Sequence, residues 1–227
     1  MHRRSRIPAA LPLLLALVLS LQAHAIPLIA NGDFELGTLD GWTVFTTPNG
    51  ALGDGNYPQV VFFDTDNDGT NSLSAAFRVG QVRRTPVSPP AGGGIYQSFY
   101  MSAGTLSISS EIAMLDGSGG SNFDGGLVEL LIDGIVMDSF DFEYAVRDVT
   151  EYSLLASALF EEAGEHEIRF RFTRGFQQSL DTPVIYLDDV IVDGPLFFLI
   201  PEAATLVLFG AGLVALATGR RRWRRRH

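Results

Sequence analysis

The strongest constraint on the fold is a hairpin in the middle of the chain. Leu127 to Ile132 and Ile135 to Phe142 flank Asp133-Gly134, a pair that tolerates the positive φ angles of a tight hairpin turn. Two apolar runs joined in this way lie antiparallel, side by side. Thr105 to Met114 (TLSISSEIAM) repeats the strand habit, with Leu106, Ile108, Ile112 and Met114 on one face at period two. Further strands are expected at Trp42 to Thr46, Gln59 to Phe63, Leu73 to Val79, Ile95 to Met101, Tyr152 to Phe160, His166 to Thr173 and Val184 to Val192. Gly, Asn, Asp and Pro punctuate the gaps, so the chain reads as an all-β antiparallel sandwich. Arg84 to Gly94 (RTPVSPPAGGG) reads as a surface loop within one domain, because strands continue on both sides of it.

The two ends differ from this pattern. Arg3, Arg4 and Arg6 precede an apolar stretch from Leu11 to Leu21, and Ala23-His24-Ala25 follows. This is the order of a secretory signal peptide over residues 1–25, which makes signal peptidase a partner during export and Ile26 the first mature residue. At the other end Ile200-Pro201-Glu202 precedes 17 uncharged residues, Ala203 to Gly219. As a helix they would reach about 26 Å, just under the ~30 Å of a bilayer core. Arg220, Arg221, Arg222, Arg224, Arg225 and Arg226 close the chain around Trp223. Such a cluster stays cytoplasmic, which places the rest of the chain outside the membrane.

This three-part tail, residues 200–227, resembles the PEP-CTERM sorting signal of Gram-negative bacteria. The resemblance implies recognition by an exosortase, cleavage near the motif, transient anchoring by the helix, and delivery to the cell surface, outer envelope or extracellular polysaccharide matrix. Gly210 and Gly212 fit the glycine-rich helix of such tails, and Ala203 stands where the third motif residue is Pro.

Residues 26–199 make one domain, long enough for a full core. It carries seven arginines and no lysine against 25 Asp and Glu, a formal charge of −18 with histidine neutral. Such a surface repels nucleic acid and favours divalent cations or neutral ligands. Cysteine is absent, so thiol catalysis and disulfides are excluded.

Asn31-Gly32-Asp33-Phe34-Glu35 with Gly41-Trp42, and Tyr186-Leu187-Asp188-Asp189-Val190 near the other end, resemble the opening and closing segments of jelly-roll carbohydrate-binding modules and galactose-binding-like domains. The resemblance implies that the first and last strands lie together, and that a structural calcium joins them through Glu35 and one of Asp188 or Asp189, with Asp33 nearby. A separate acidic loop runs Asp64-Thr65-Asp66-Asn67-Asp68-Gly69-Thr70. Its carboxylates at positions 1, 3 and 5 and its Gly at position 6 match the first half of an EF-hand loop. Position 12 is Ala75, not the bidentate Glu. The loop is either a shortened calcium site completed by carboxylates from elsewhere or a solvated acidic turn.

Catalytic signatures are sparse. His166 is the only histidine of the mature domain, which excludes multi-histidine zinc sites and HExxH, and no GxSxG elbow accompanies it. Asp138-Ser139-Phe140-Asp141-Phe142-Glu143 puts Asp141 and Glu143 on one expected strand face, the one suggestive carboxylate pair for glycoside hydrolysis. Tyr57, Phe176 and Gln177 are candidate sugar contacts, since flat rings stack on pyranose faces and amides bond to hydroxyls. The expected function is a non-catalytic exported protein that binds or associates with exopolysaccharide. A polysaccharide-processing enzyme on the same fold and a membrane-retained envelope protein are the alternatives. Replacing Pro201 and Glu202 together should leave an unprocessed, membrane-bound precursor in cell fractionation. Normal maturation of that double variant would count against exosortase recognition.

Overall fold

The computed structural model describes residues 27–84, 90–116, 124–143, 150–177 and 182–196. The expected leader (1–25) and sorting tail (200–227) lie outside them. Among the described residues no helix is long and apolar enough to cross a membrane.

The chain forms β1 (Thr43–Thr46), β2 (Gly50–Ala51), β3 (Gln59–Phe63), β4 (Ser72–Phe77), β5 (Gly80–Gln81) and β6 (Ala91–Met101). It continues as β7 (Gly104–Leu115), β8 (Leu127–Ile132), β9 (Ile135–Asp141), β10 (Thr150–Phe160), β11 (Gly164–Arg174) and β12 (Val184–Asp193). One five-stranded sheet has the order β1-β6-β11-β8-β9 and the other β10-β7-β12-β4-β3, with every pairing antiparallel. β2 and β5 make a two-residue pair of their own. From β6 onward each strand except those of the β8–β9 hairpin changes sheets, as in a jelly roll.

The expected faces are the observed ones. Leu106, Ile108, Ile112 and Met114 all point into the core, opposite Ile95, Leu130, Ile168, Phe170 and Phe172 of the other sheet. Phe77 stacks on Phe172 across the interface at 4.4 Å, and Trp42 meets Phe170 edge-on at 6.2 Å. The hairpin turns as its residues require, with φ of 51° at Asp133 and 80° at Gly134 and with Ile132 paired to Ile135.

Two expectations are corrected. The segment Arg84 to Gly94 is not all surface loop: Ala91 to Gly94 are buried and open β6 between β1 and β11. Three consecutive glycines hide this strand from a pattern search, because they carry no side chain to alternate. Their bareness is what the packing needs, since a Cβ at Gly94 would overlap the Phe170 carbonyl oxygen of β11 and one at Gly93 the Phe45 carbonyl oxygen of β1. Nor do the first and last strands pair. β1 edges one sheet, while β12 lies inside the other between β7 and β4. The segment before β1 reaches β12 instead: Val190 N donates to the Gly32 carbonyl at 2.9 Å, and a Cβ on Gly32 would strike the Val190 carbonyl.

Gly94→Ala should destabilise the fold by at least about 2 kcal/mol, because main chain cannot move aside as a side chain can. A thermal melt of the full-length protein reads this out as a lowered Tm, and a wild-type melt would contradict the close approach.

Candidate functional site

Two places collect functional chemistry. The first unites the two acidic stretches that the sequence keeps apart. The Asp64 to Thr70 turn folds on its own carboxylates: Gly69 N donates to Asp64 Oδ2 at 3.0 Å, Asp68 N to Asp66 Oδ1 at 3.2 Å and Thr70 N to Asp68 Oδ1 at 2.7 Å. One oxygen from each of Asp64, Asp66 and Asp68 lies within 4.8 Å of the others. Asp64 Oδ1 is buried without a hydrogen-bond partner. Glu35 arrives from the N-terminal segment and accepts from Leu73 N at 3.0 Å, at the start of β4. Asp189 arrives from β12, where one extra residue between Asp188 and Ile191 makes a bulge and φ is 48°.

Electrostatics shows how closely these groups share a field. Partial burial, then the charges of Asp66, Asp33, Glu35 and Asp68, raise the Asp189 carboxyl above its ordinary value. Of the two residues left open by the sequence, Asp189 faces this cluster. Asp188 is buried beneath it, accepting from Ser72 Oγ at 2.5 Å, Ser74 Oγ at 3.1 Å and Asp189 N at 2.8 Å. Burial pushes Asp188 up to about 6 despite those hydrogen bonds. Ala75, the EF-hand position 12, is a core residue. An all-oxygen donor set with one buried, orphaned oxygen is the chemistry hard cations such as Ca²⁺ require.

The second place is an open cleft of about 390 Å³ at the end of the sandwich where β6 begins and β11 finishes. Asp124, Asp141, Glu143, Arg174 and Phe176 line it. Arg174 is buried, donating from Nε to the Asp124 carbonyl at 2.6 Å and from Nη1 to Thr182 Oγ1 at 3.3 Å. Burial lowers its pKa, against the opposing charges of Asp124 and Asp116. Phe176 keeps 42% of its surface exposed, with the Arg174 guanidinium 5.7 Å from its ring centre. Its main chain is held in place: Gly175 N donates to Asp124 Oδ2 at 2.8 Å, and Gln81 N donates to the Phe176 carbonyl at 3.0 Å. Gln177 is spent on this anchoring, its Nε2 reaching the Val82 carbonyl at 3.3 Å.

Tyr57 does not line this cleft. Its ring lies under the Arg78 guanidinium at 4.9 Å and packs beside the stacked pair Phe63 and Tyr186 on the outer face of the β4–β12 sheet. Asp141 and Glu143 do share the cleft, but not as neighbours on one strand face. β9 ends at Asp141, and Glu143 follows with φ of 37°, its N donating to Asp141 Oδ1 at 2.9 Å. His166 is held by Asp133 Oδ2 at 2.8 Å between the rings of Phe99 and Phe160, far along β11 from the cleft. Sequence reasoning missed Asp124 and Arg174, which meet across 50 residues of chain and carry no motif. The sorting motif Ile200-Pro201-Glu202 and the arginines 220–226 lie outside the described residues.

Fold and sites define an acidic, all-antiparallel β-sandwich with a carboxylate cluster beside β12 and an open cleft where β6 begins and β11 finishes. No protein-family model and no curated protein matches the chain. Solved structures with a similar fold include TmCBM61 in complex with β-1,4-galactotriose, 13% identical over 74% of this chain and 99% of that one, with a TM-score of 0.43. A cyclase from Fischerella sp. TAU is 16% identical over 77% and 100%, with a TM-score of 0.44. The CBM22-1 xylan-binding domain from Paenibacillus barcinonensis Xyn10C is 12% identical over 74% and 94%, with a TM-score of 0.38. One sandwich fold hosts many functions, so the chemistry has to come from this chain's own residues.

The Asp188 shift has a sign that can be measured. With divalent cations chelated, the folded protein takes up this proton at a higher pH than the unfolded chain does. Stability therefore rises as pH falls through about 6 towards the ordinary carboxylate range, and this contribution is absent above that window. The chelated full-length protein should melt higher at about pH 5 than at about pH 7, and Asp188→Asn should flatten that slope. A slope unchanged in the variant would assign it to other carboxylates.

Proposed function

We propose that the chain is an exported, non-catalytic β-sandwich protein of the cell surface or extracellular matrix that associates with polysaccharide through the cleft around Phe176. The observation that carries this reading is the cleft itself. A half-exposed ring, fixed by its backbone, stands beside carboxylates in a space at the small end of the ~300–1,000 Å³ typical of ligand sites. The ring offers a surface for the apolar face of a pyranose, and the carboxylates accept hydrogen bonds from its hydroxyls. The leader and the sorting tail support export, signal-peptide removal, and recognition of Ile200-Pro201-Glu202 by an exosortase.

A calcium ion at the acidic cluster completes the proposal. Asp64, Asp66 and Asp68 would hold it, with Asp189 and Glu35 closing the set, and its role is structural: it neutralises crowded carboxylates and pins the N-terminal segment and the Asp64 to Thr70 turn to β12. The enzyme reading rests on Asp141 and Glu143 sharing the cleft. Among the described residues no further acid–base constellation accompanies them, since His166 is tied to Asp133.

A glycan and exopolysaccharide binding screen on the full-length protein in mild detergent tests the reading. Saturable binding without polysaccharide turnover is expected, weakened about tenfold or more by Phe176→Ala, a loss of at least about 1.4 kcal/mol. Turnover would favour the enzyme, and binding indifferent to Phe176 would move the site elsewhere. In the same preparation chelation should lower Tm and calcium restore it. An unchanged melt after verified metal removal rejects the structural ion.

A further inference from the structure

The cleft carries more acid than a site for a neutral sugar needs. Among the described residues the one cation lining it, Arg174, is buried and turned towards the Asp124 carbonyl and Thr182, whereas Asp141 and Glu143 are exposed at the opening. Asp124 Oδ2 is engaged by Gly175 N and Asp141 Oδ1 by Glu143 N. No protein donor takes Asp141 Oδ2 or either Glu143 carboxylate oxygen among the described residues. The charge of the described lining is therefore negative, within a domain whose formal charge of −18 already draws cations towards it.

The spacing of these acids decides which cation fits. Among the described residues the one trio of carboxylates with oxygens inside 4.8 Å of one another is Asp64, Asp66 and Asp68. The cleft's three acids make no such trio. They suit a ligand whose positive charge sits on a larger frame, and the exposed ring of Phe176 supplies the apolar surface such a frame would cover. An ammonium on a sugar ring meets both conditions: it donates charge-assisted hydrogen bonds to carboxylates while the ring lies against the aromatic face.

We infer that the cleft selects amine-bearing sugars, the hexosamine units of a polysaccharide with free amino groups, seating the ammonium at Asp141 and Glu143 and the pyranose against Phe176. The inference rests on the reading of this cleft as a sugar site. N-acetylated units lose the charge and uronic acids are repelled, so the same cleft discriminates among polymers of one backbone shape.

Short β-1,4-linked oligomers of glucosamine, N-acetylglucosamine and glucose test it, because they differ only in the substituent at C2. Calorimetric titration of the full-length protein in mild detergent, at mildly acidic pH, should show the glucosamine oligomer binding at least about tenfold more tightly than the other two. That preference should shrink with added salt and vanish once the amine deprotonates. Asp141→Asn and Glu143→Gln, both on exposed residues, should abolish the preference, bringing the glucosamine oligomer down to the affinity of the two neutral oligomers. Equal affinity for the three oligomers overturns the amine inference while preserving the sugar site. Absence of binding by all three overturns both. A preference that survives both substitutions also overturns the inference, since the charge recognised would lie elsewhere.

Discussion

One extra residue in β12 sets the geometry of the acidic end. Up to Leu187 the strand alternates with Ile185 and Leu187 inward, and beyond the bulge Val190 and Val192 are inward instead. Without the insertion, Asp189 would fall on the core face and Val190 on the solvent face, because strand periodicity is strictly two. With it, Asp189 swings out to the carboxylate cluster, and Val190 N is freed to bond Gly32 of the incoming N-terminal segment. The same turn of chain thus aims a carboxylate and fastens the start of the domain to its last strand. Gly32 serves that fastening by having no side chain at the point of contact.

Crowding carboxylates in this way has a cost that the surrounding hydroxyls only partly offset. Asp188 is buried with three hydrogen bonds and still favours its proton, because desolvation outweighs Ser72, Ser74 and the Asp189 amide. Thr65 Oγ1 and Ser74 Oγ lie 2.7 Å apart, extending the buried polar chain from the acidic turn to β12. With no cysteine to close the domain covalently, this network and the Phe-rich interior join the β4–β12 ladder in holding the early part of the chain to the late part. A network of this kind is sensitive to whatever sets its charge, proton or cation.

Local features were legible in the sequence and distant convergence was not. The β8–β9 hairpin could be read because Asp133-Gly134 encodes its own turn, and β7 because its apolar residues alternate cleanly. The beginning of β6 escaped because Gly92 to Gly94 contribute contact through absence. The acidic residues were identifiable by type, yet that Glu35, the Asp64 to Asp68 turn and Asp189 form one cluster depends on pairings that span the domain. Ser72 and Asp188, for instance, meet across 116 residues. The cleft was legible only in part: Phe176 stood out as a candidate sugar-stacking ring, whereas Asp124 and Arg174 acquire meaning only once β8 and β11 are paired.

The two acidic places follow from one difference in backbone support. In the Asp64 to Thr70 turn, successive carboxylates accept from amides a few residues ahead, so a single tight loop draws their oxygens together. Around the cleft the acids come from two pieces of chain: Asp124 from the approach to β8, and Asp141 with Glu143 from the end of β9 and just beyond it. The first arrangement concentrates charge at a point, as a small hard ion demands. The second spreads it along a rim, which matches a ligand that has breadth as well as charge.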